Sequence, residues 1–264
     1  MRKNNRLEGF HLANIYPISA QELYKDERYI MLLSFLADKY KPESFSPDSY
    51  KILDNSLYEE QQNGMNLQYY IDLAETNGLD IDEFIVPDVL NDIEGTIKSF
   101  EENLPVIEKY KDQYNFMFVA QATTLEEQKR GIEYINQYAD KLDNITVGIS
   151  KLSVLDRMDD KLIEILKTCK YPIHFLGVKL SFAELEKASK VARGCDTQQV
   201  AYMSKNETEV PVDCLHYTRY GRRDDGRGTE KDVLLESDIL DVAKTAHFRD
   251  EAMKQMVSTL GVVR

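Results

Sequence analysis

Along the central part of the chain, short continuous apolar runs alternate with longer stretches in which apolar positions recur every three or four residues. The runs are Lys51–Asn55, Phe84–Asp88, Phe116–Gln121, Ile145–Ser150 and Ile173–Val178. Buried parallel strands read as continuous apolar runs, and amphipathic helices read with a period near 3.6. Asn66 is placed to cap a helix through Leu67, Tyr70, Ile71 and Leu73, which Asn77-Gly78 ends. A second helix is expected from about Asp92 to Tyr110, with a kink or break at Pro105. Thr124-Leu125-Glu126-Glu127 opens a third. Further helices are expected near Asp159–Thr168 and Ser181–Ala192, the latter with Ser181 and Glu184 in the capping-box arrangement. A last strand is predicted at Gln198–Met203.

Strands alternating with helices of this length imply βαβ units and a parallel sheet. Phe10–Tyr16 and Tyr29–Phe35 supply two further strands, which completes the eight of a (β/α)8 barrel in the α/β class. A doubly wound open sheet is the alternative, but its glycine-rich phosphate turn is absent. The organisation expected is one barrel domain over residues 1–264. Residues 204–228 would form a polar loop or lid over the strand ends, and residues 229–264 helices packed outside.

In such a barrel the chemistry sits at the C-terminal ends of the strands. Asp54, Asp88 and Asp196 each follow a strand or an apolar entry, so all three are expected at one mouth. Carboxylates held together repel, which raises the pKa of at least one and makes it a usable acid or base. The plainer alternative is that each caps the helix that follows. Gln121 ends an otherwise apolar strand, where an amide can read a ligand edge in both directions or simply serve a turn. Gly148 and Gly177 also fall near strand ends, where a missing side chain lets a flat ligand approach the backbone or merely eases a turn. Tyr58 is suited to stacking on a planar ligand or to core packing. His174, inside its strand, is expected to be packed or hydrogen-bonded in the barrel.

The net charge of -13 does not favour a nucleic-acid partner, because phosphate contacts need basic surface. A local basic stretch does exist at Arg219, Arg222, Arg223 and Arg227, open to reading as a DNA contact or as a solvated loop. Cys169, Cys195 and Cys214 are odd in number and scattered, which fits free thiols in a reducing cytoplasm. No run approaches a membrane span, and no apolar segment follows the basic Met1–Arg6, so no secretory signal is expected. Cys214 and His216 are too few for a structural metal site, and neither metal nor cofactor is expected. No serine triad, phosphate loop or zinc-protease motif occurs, leaving carboxylate nucleophile and acid–base chemistry.

The ordered set from about Leu53 to Met203 resembles the tRNA-guanine transglycosylase superfamily, and especially its short phage-type members that act on DNA. Leu53-Asp54-Asn55-Ser56-Leu57-Tyr58-Glu59 is similar to the family's D-S-G-G-F-Q segment, which implies Asp54 as general base and Tyr58 as the stacking aromatic. Asn55 falls beside them in the implied pocket. Val86-Pro87-Asp88 resembles the strand end whose aspartate reads guanine, and Val119-Ala120-Gln121 resembles V-Q-G with its base-reading glutamine. Gly148 falls in the glycine-bearing strand end, Leu176-Gly177-Val178 resembles M-G-V, and Arg193-Gly194-Cys195-Asp196 resembles R-G-I-D.

There are departures. Where the tRNA enzymes carry the nucleophilic aspartate of M-F-D-C this chain has Gln199, so either Asp196 takes over as nucleophile or the usual glycosyl-enzyme intermediate is not formed. The family's zinc motif is missing, the chain is shorter than the tRNA enzymes, and the elements that hold tRNA are not evident. The implied activity is exchange of guanine in DNA for a 7-deazaguanine base, in the cytoplasm, or the host cytoplasm for a phage protein. The implied partners are DNA and the free base, with no membrane; a homodimer stays open. The alternatives are base exchange in tRNA, a barrel enzyme for a free nucleobase or nucleoside, and a binding protein without turnover.

Overall fold

Eight parallel strands follow one another around a closed barrel in chain order. They are β1 (His11–Asn14), β2 (Tyr29–Leu33), β3 (Tyr50–Asp54), β4 (Glu83–Ile85), β5 (Asn115–Ala120), β6 (Ile145–Ile149), β7 (Ile173–Phe175) and β8 (Gly194–Thr197). Closure comes from β8 pairing with β1, His11 opposite Gly194 and Ala13 opposite Asp196. The structure is a computed structural model that describes residues 7, 9–57, 65–150, 159–178, 182–206, 209 and 242–260. The α/β (β/α)8 expectation holds.

Among the described residues the α-helices are α1 (Leu67–Thr76), α2 (Ile93–Tyr110), α3 (Leu125–Asn136), α4 (Asp160–Leu166), α5 (Phe182–Ser189), α6 (Gln199–Asn206) and α7 (Val242–Leu260). The cap expected at Asn66 is present, whereas Ser181, expected to open α5 with a capping box, lies outside the described residues. Asn66 accepts from Tyr69 N, Asp159 from Lys161 N, and Thr124 with Glu127 completes a capping box. The first two β–β connections carry 3₁₀ helices instead, at Ile18–Asp26, Ser34–Lys39 and Pro42–Ser44. On that side α7 contributes cover: Arg249 donates to the Leu23 carbonyl and to Asp26, both at 3.4 Å, and Thr245 donates to Ser204 at 2.7 Å. Phe248, Ala252 and Met256 are buried on the same helix.

Two local expectations are corrected. The eighth strand is Gly194–Thr197, and Gln198–Met203 is largely the helix α6. Val200 and Met203 are buried three apart, a helical spacing that a short apolar run does not distinguish from a strand. Nor does Pro105 break α2, which runs continuously from Ile93 to Tyr110. Pro105 lies on the exposed face, where solvent can satisfy the carbonyl it leaves without an amide partner. Of the expected loop at 204–228, residues 204–206 end α6, and all the rest but 209 lies outside the described residues.

The barrel interior is polar near the N-terminal ends of its strands. Arg193, just before β8, reaches across to Glu83 on β4, so this ion pair must lie inside the lumen. Tyr50 donates to Glu83 at 2.9 Å, Asn115 donates to the Tyr50 hydroxyl at 3.1 Å, and the rings of Tyr29 and Tyr50 stack at 5.8 Å. These contacts fix which residues point inward. Because side chains alternate along a strand, Asp54, Gln121 and Asp196 then point inward at the other end, counting from Tyr50, Asn115 and Gly194. The alternate residues face out: Phe118 packs edge-on against Phe100 of α2 at 5.4 Å.

Candidate functional site

The C-terminal mouth has two polar walls. The first joins three consecutive strand ends. Asp88, just beyond β4, is buried and accepts from two amides, Asn55 Nδ2 on Oδ1 at 2.7 Å and Gln121 Nε2 on Oδ2 at 2.5 Å. Its carboxyl is pushed above the usual aspartate range by burial, with the two amide hydrogen bonds pulling the other way. No second carboxylate contributes to that shift. The expected cause, repulsion between neighbouring carboxylates, is therefore replaced by desolvation.

Gln121 is itself buried, and its Oε1 has no hydrogen-bond partner among the described residues. Buried amide oxygens are rarely left so, because each forfeits its hydration without return. The alternative readings as caps and turns do not apply to this pair. Asp92, not Asp88, caps α2 by accepting from Gly95 N at 2.9 Å, and Gln121 spends its amide nitrogen on Asp88.

Asp54 and Asn55 are shaped by a tight turn. Asp54 Oδ1 accepts from Ser56 N at 2.7 Å and Asn55 Oδ1 from Leu57 N at 3.1 Å, two overlapping turns in which a side chain mimics the backbone. Ser56 takes a left-handed conformation, φ 56°, held by a hydrogen bond from Ser34 at 3.0 Å. Strain of this kind persists where the surroundings over-determine it, and it aims Asp54 inward while sending Asn55 towards Asp88. Asp54 is half-buried.

The second wall is built on β7 and β8. Asp196 is buried, and its Oδ1 lies 3.0 Å from His174 Nε2. Gly177 N donates to both carboxylate oxygens, at 3.1 and 3.0 Å. Gly177 has φ 60°, a conformation that glycine adopts without penalty, and this turns its amide back towards β8. His174 continues inward: its Nδ1 is 2.7 Å from the Tyr29 hydroxyl. Burial raises the Tyr29 pKa far above a phenol's ordinary value, which keeps this hydroxyl protonated.

Of the residues singled out from the sequence, the structure joins Asn55, Asp88 and Gln121 into one cluster, and Gly177, His174 and Asp196 into another. Gly148 has a packing explanation: a Cβ there would meet Met117 Sδ at 2.9 Å and Val119 Cγ2 at 3.0 Å. Gln199 opens α6, and its side chain lies outside the described atoms. Tyr58, Arg219, Arg222, Arg223, Arg227, Cys214 and His216 lie outside the described residues.

Sequence reasoning missed Tyr29 as a support and Arg193 as its neighbour. The only visible signal was a histidine at an inward strand position. Among the described residues no group of three or more His, Cys, Asp or Glu is placed to hold a metal, and no helix is long and apolar enough to cross a membrane. Comparison with known proteins gives no family model and no curated protein that matches the chain.

Proposed function

We propose that the protein is a base-exchange transglycosylase that replaces guanine in DNA with a 7-deazaguanine base. The observation that carries this reading is the unpartnered Gln121 Oε1 buried beside Asp88. Together they present acceptors in a row, the two Asp88 oxygens with lone pairs to spare and the amide oxygen. Guanine and 7-deazaguanine offer matching donors on one edge, the ring N–H and the exocyclic amine.

A target guanine would be flipped out of the stack at a cost of roughly a few kcal/mol. Asp88 and Gln121 would hold its edge and Tyr58 its face. Asp196 would attack the anomeric carbon, forming a glycosyl-enzyme ester as the bond to guanine breaks, and the departing guanine nitrogen keeps the bonding pair and takes a proton from solvent, to which Asp54 later returns the one it gains. The incoming base would give its ring proton to Asp54, and its nitrogen would displace Asp196 from the sugar. The resemblance of Leu53–Met203 to the transglycosylase superfamily supports the same assignment.

The net charge of -13 favours a second reading, in which a barrel of this kind acts on a free nucleobase or nucleoside. Incubation with labelled guanine or 7-deazaguanine and either DNA or tRNA separates these. Label entering DNA is expected. Label entering only tRNA moves the activity to RNA, and base binding without label in either polymer points to the small-molecule or non-catalytic alternatives. Asp54→Asn and Asp196→Asn must each abolish exchange, and persistence in either variant overturns that residue's role.

A further inference from the structure

We infer that His174 is a positioning residue that locks the Asp196 carboxylate and leaves Oδ2 as its reacting atom, an inference that rests on the base-exchange reading for its catalytic meaning. Arg193 is a donor only, and its side chain hydrogen-bonds to the Tyr29 hydroxyl. The hydroxyl oxygen therefore accepts from Arg193, and its one proton is left for His174 Nδ1 at 2.7 Å. An imidazole nitrogen that accepts leaves the ring proton on the other, so Nε2–H donates to Asp196 Oδ1 at 3.0 Å. Direction is thus set along the whole path by a guanidinium that cannot reverse it.

The path makes the two carboxylate oxygens unequal. Oδ1 accepts from both His174 and Gly177, whereas Oδ2 accepts from Gly177 alone among the described residues. The oxygen with fewer donors keeps the more available lone pair. A rigid backbone amide and a packed imidazole hold the group in one rotamer, the kind of pre-organisation that attack at one carbon requires. His174 is completely buried and Asp196 nearly so, which strengthens each hydrogen bond in the path.

The test combines a measurement on the resting protein with kinetics. Nitrogen-15 NMR of the wild-type ring should place the His174 proton on Nε2 and show Nδ1 as an acceptor. His174→Ala should shift the Gly177 amide resonance and lower kcat about 10–100-fold with KM for the incoming base nearly unchanged. His174→Gln can donate to Asp196 and accept from Tyr29 at once, so it should restore the Gly177 resonance and most of kcat. Should His174→Ala fail to fold, Tyr29→Phe takes its place: Nε2–H stays bonded to the Asp196 carboxylate, while Nδ1 loses its donor and its nitrogen resonance should move towards that of an unbonded acceptor. A wild-type ring protonated on Nδ1, wild-type kcat in His174→Ala, or glutamine no better than alanine overturns the inference. If the wild type exchanges no base in any polymer, the base-exchange reading fails, while the ring and Gly177 resonances still decide whether His174 positions Asp196.

Discussion

Asp88 and Asp196 are the same residue type, both buried at the same mouth, and they are held in opposite ways. Asp88 is gripped by two side-chain amides from neighbouring strand ends, one of which keeps an unused oxygen. Asp196 is gripped by a backbone N–H and by an imidazole whose orientation is set from the barrel interior. Side-chain amides can rotate to exchange donor for acceptor when a ligand arrives, whereas a backbone amide and a wedged imidazole cannot. An adaptable grip suits recognition of a base edge, and a fixed grip suits a group that must attack one carbon along one line. Burial alone therefore does not tell what a carboxylate does; the kind of donor around it does.

A change on the fixed side should cost the most activity. Asp196→Asn should reduce base exchange by about 10³-fold or more, as loss of a nucleophile does. Binding of the incoming base, followed by calorimetry, should remain if the base is read on the other wall as proposed. Gln121→Leu inverts the pattern. It removes the amide that meets Asp88 and the unused oxygen together, so Kd for the base should rise about 10–100-fold, the worth of one or two ordinary hydrogen bonds. The rate at saturating base should change far less. Should both variants lose binding equally, the two walls do not divide the work as argued.

Gly177→Ala sharpens the same point with a smaller effect. A non-glycine residue in the left-handed region costs about 1–2 kcal/mol, read as a lower unfolding midpoint. Because the amide it carries holds both Asp196 oxygens, kcat should fall with stability while affinity for the base does not.

How much of this was legible in the sequence follows from what each strand buries. β5 and β6 bury both faces mostly in apolar residues, and their limits could be read directly from Asn115–Ala120 and Ile145–Ile149. β8 could not. Its inward positions are Gly194 and Asp196, so the strand with the most chemistry has the least apolar signal, and the apolar residues just after it were mistaken for it. The strand-end aspartates were visible because polar residues closing apolar runs stand out. Their partners were not, since Tyr29 lies 145 residues from His174 and nothing local marks the pairing. Asn55 was placed near the site by sequence proximity to Asp54, but its role as the partner of Asp88 depends on the Ser56 turn, a conformation no residue type announces.

The adaptable wall should also respond to pH, more weakly than to either substitution. Burial raises the Asp88 pKa in the folded protein above the ordinary aspartate value of 3.8, so the folded state holds its proton over a window where the unfolded chain has lost it. Stability from this group is complete below the unfolded value and is lost as pH rises through the raised, folded one. Asp88→Asn removes that titration while keeping the shape. Its Nδ2 can donate to Gln121 if that amide rotates, which turns the unused Oε1 to the purpose. The wild type should therefore lead Asp88→Asn in unfolding free energy at pH 4, and the lead should shrink with rising pH and then level off. A difference that stays flat, or grows with pH, means that Asp88 is held as a fixed carboxylate like Asp196, and the contrast between the two walls collapses.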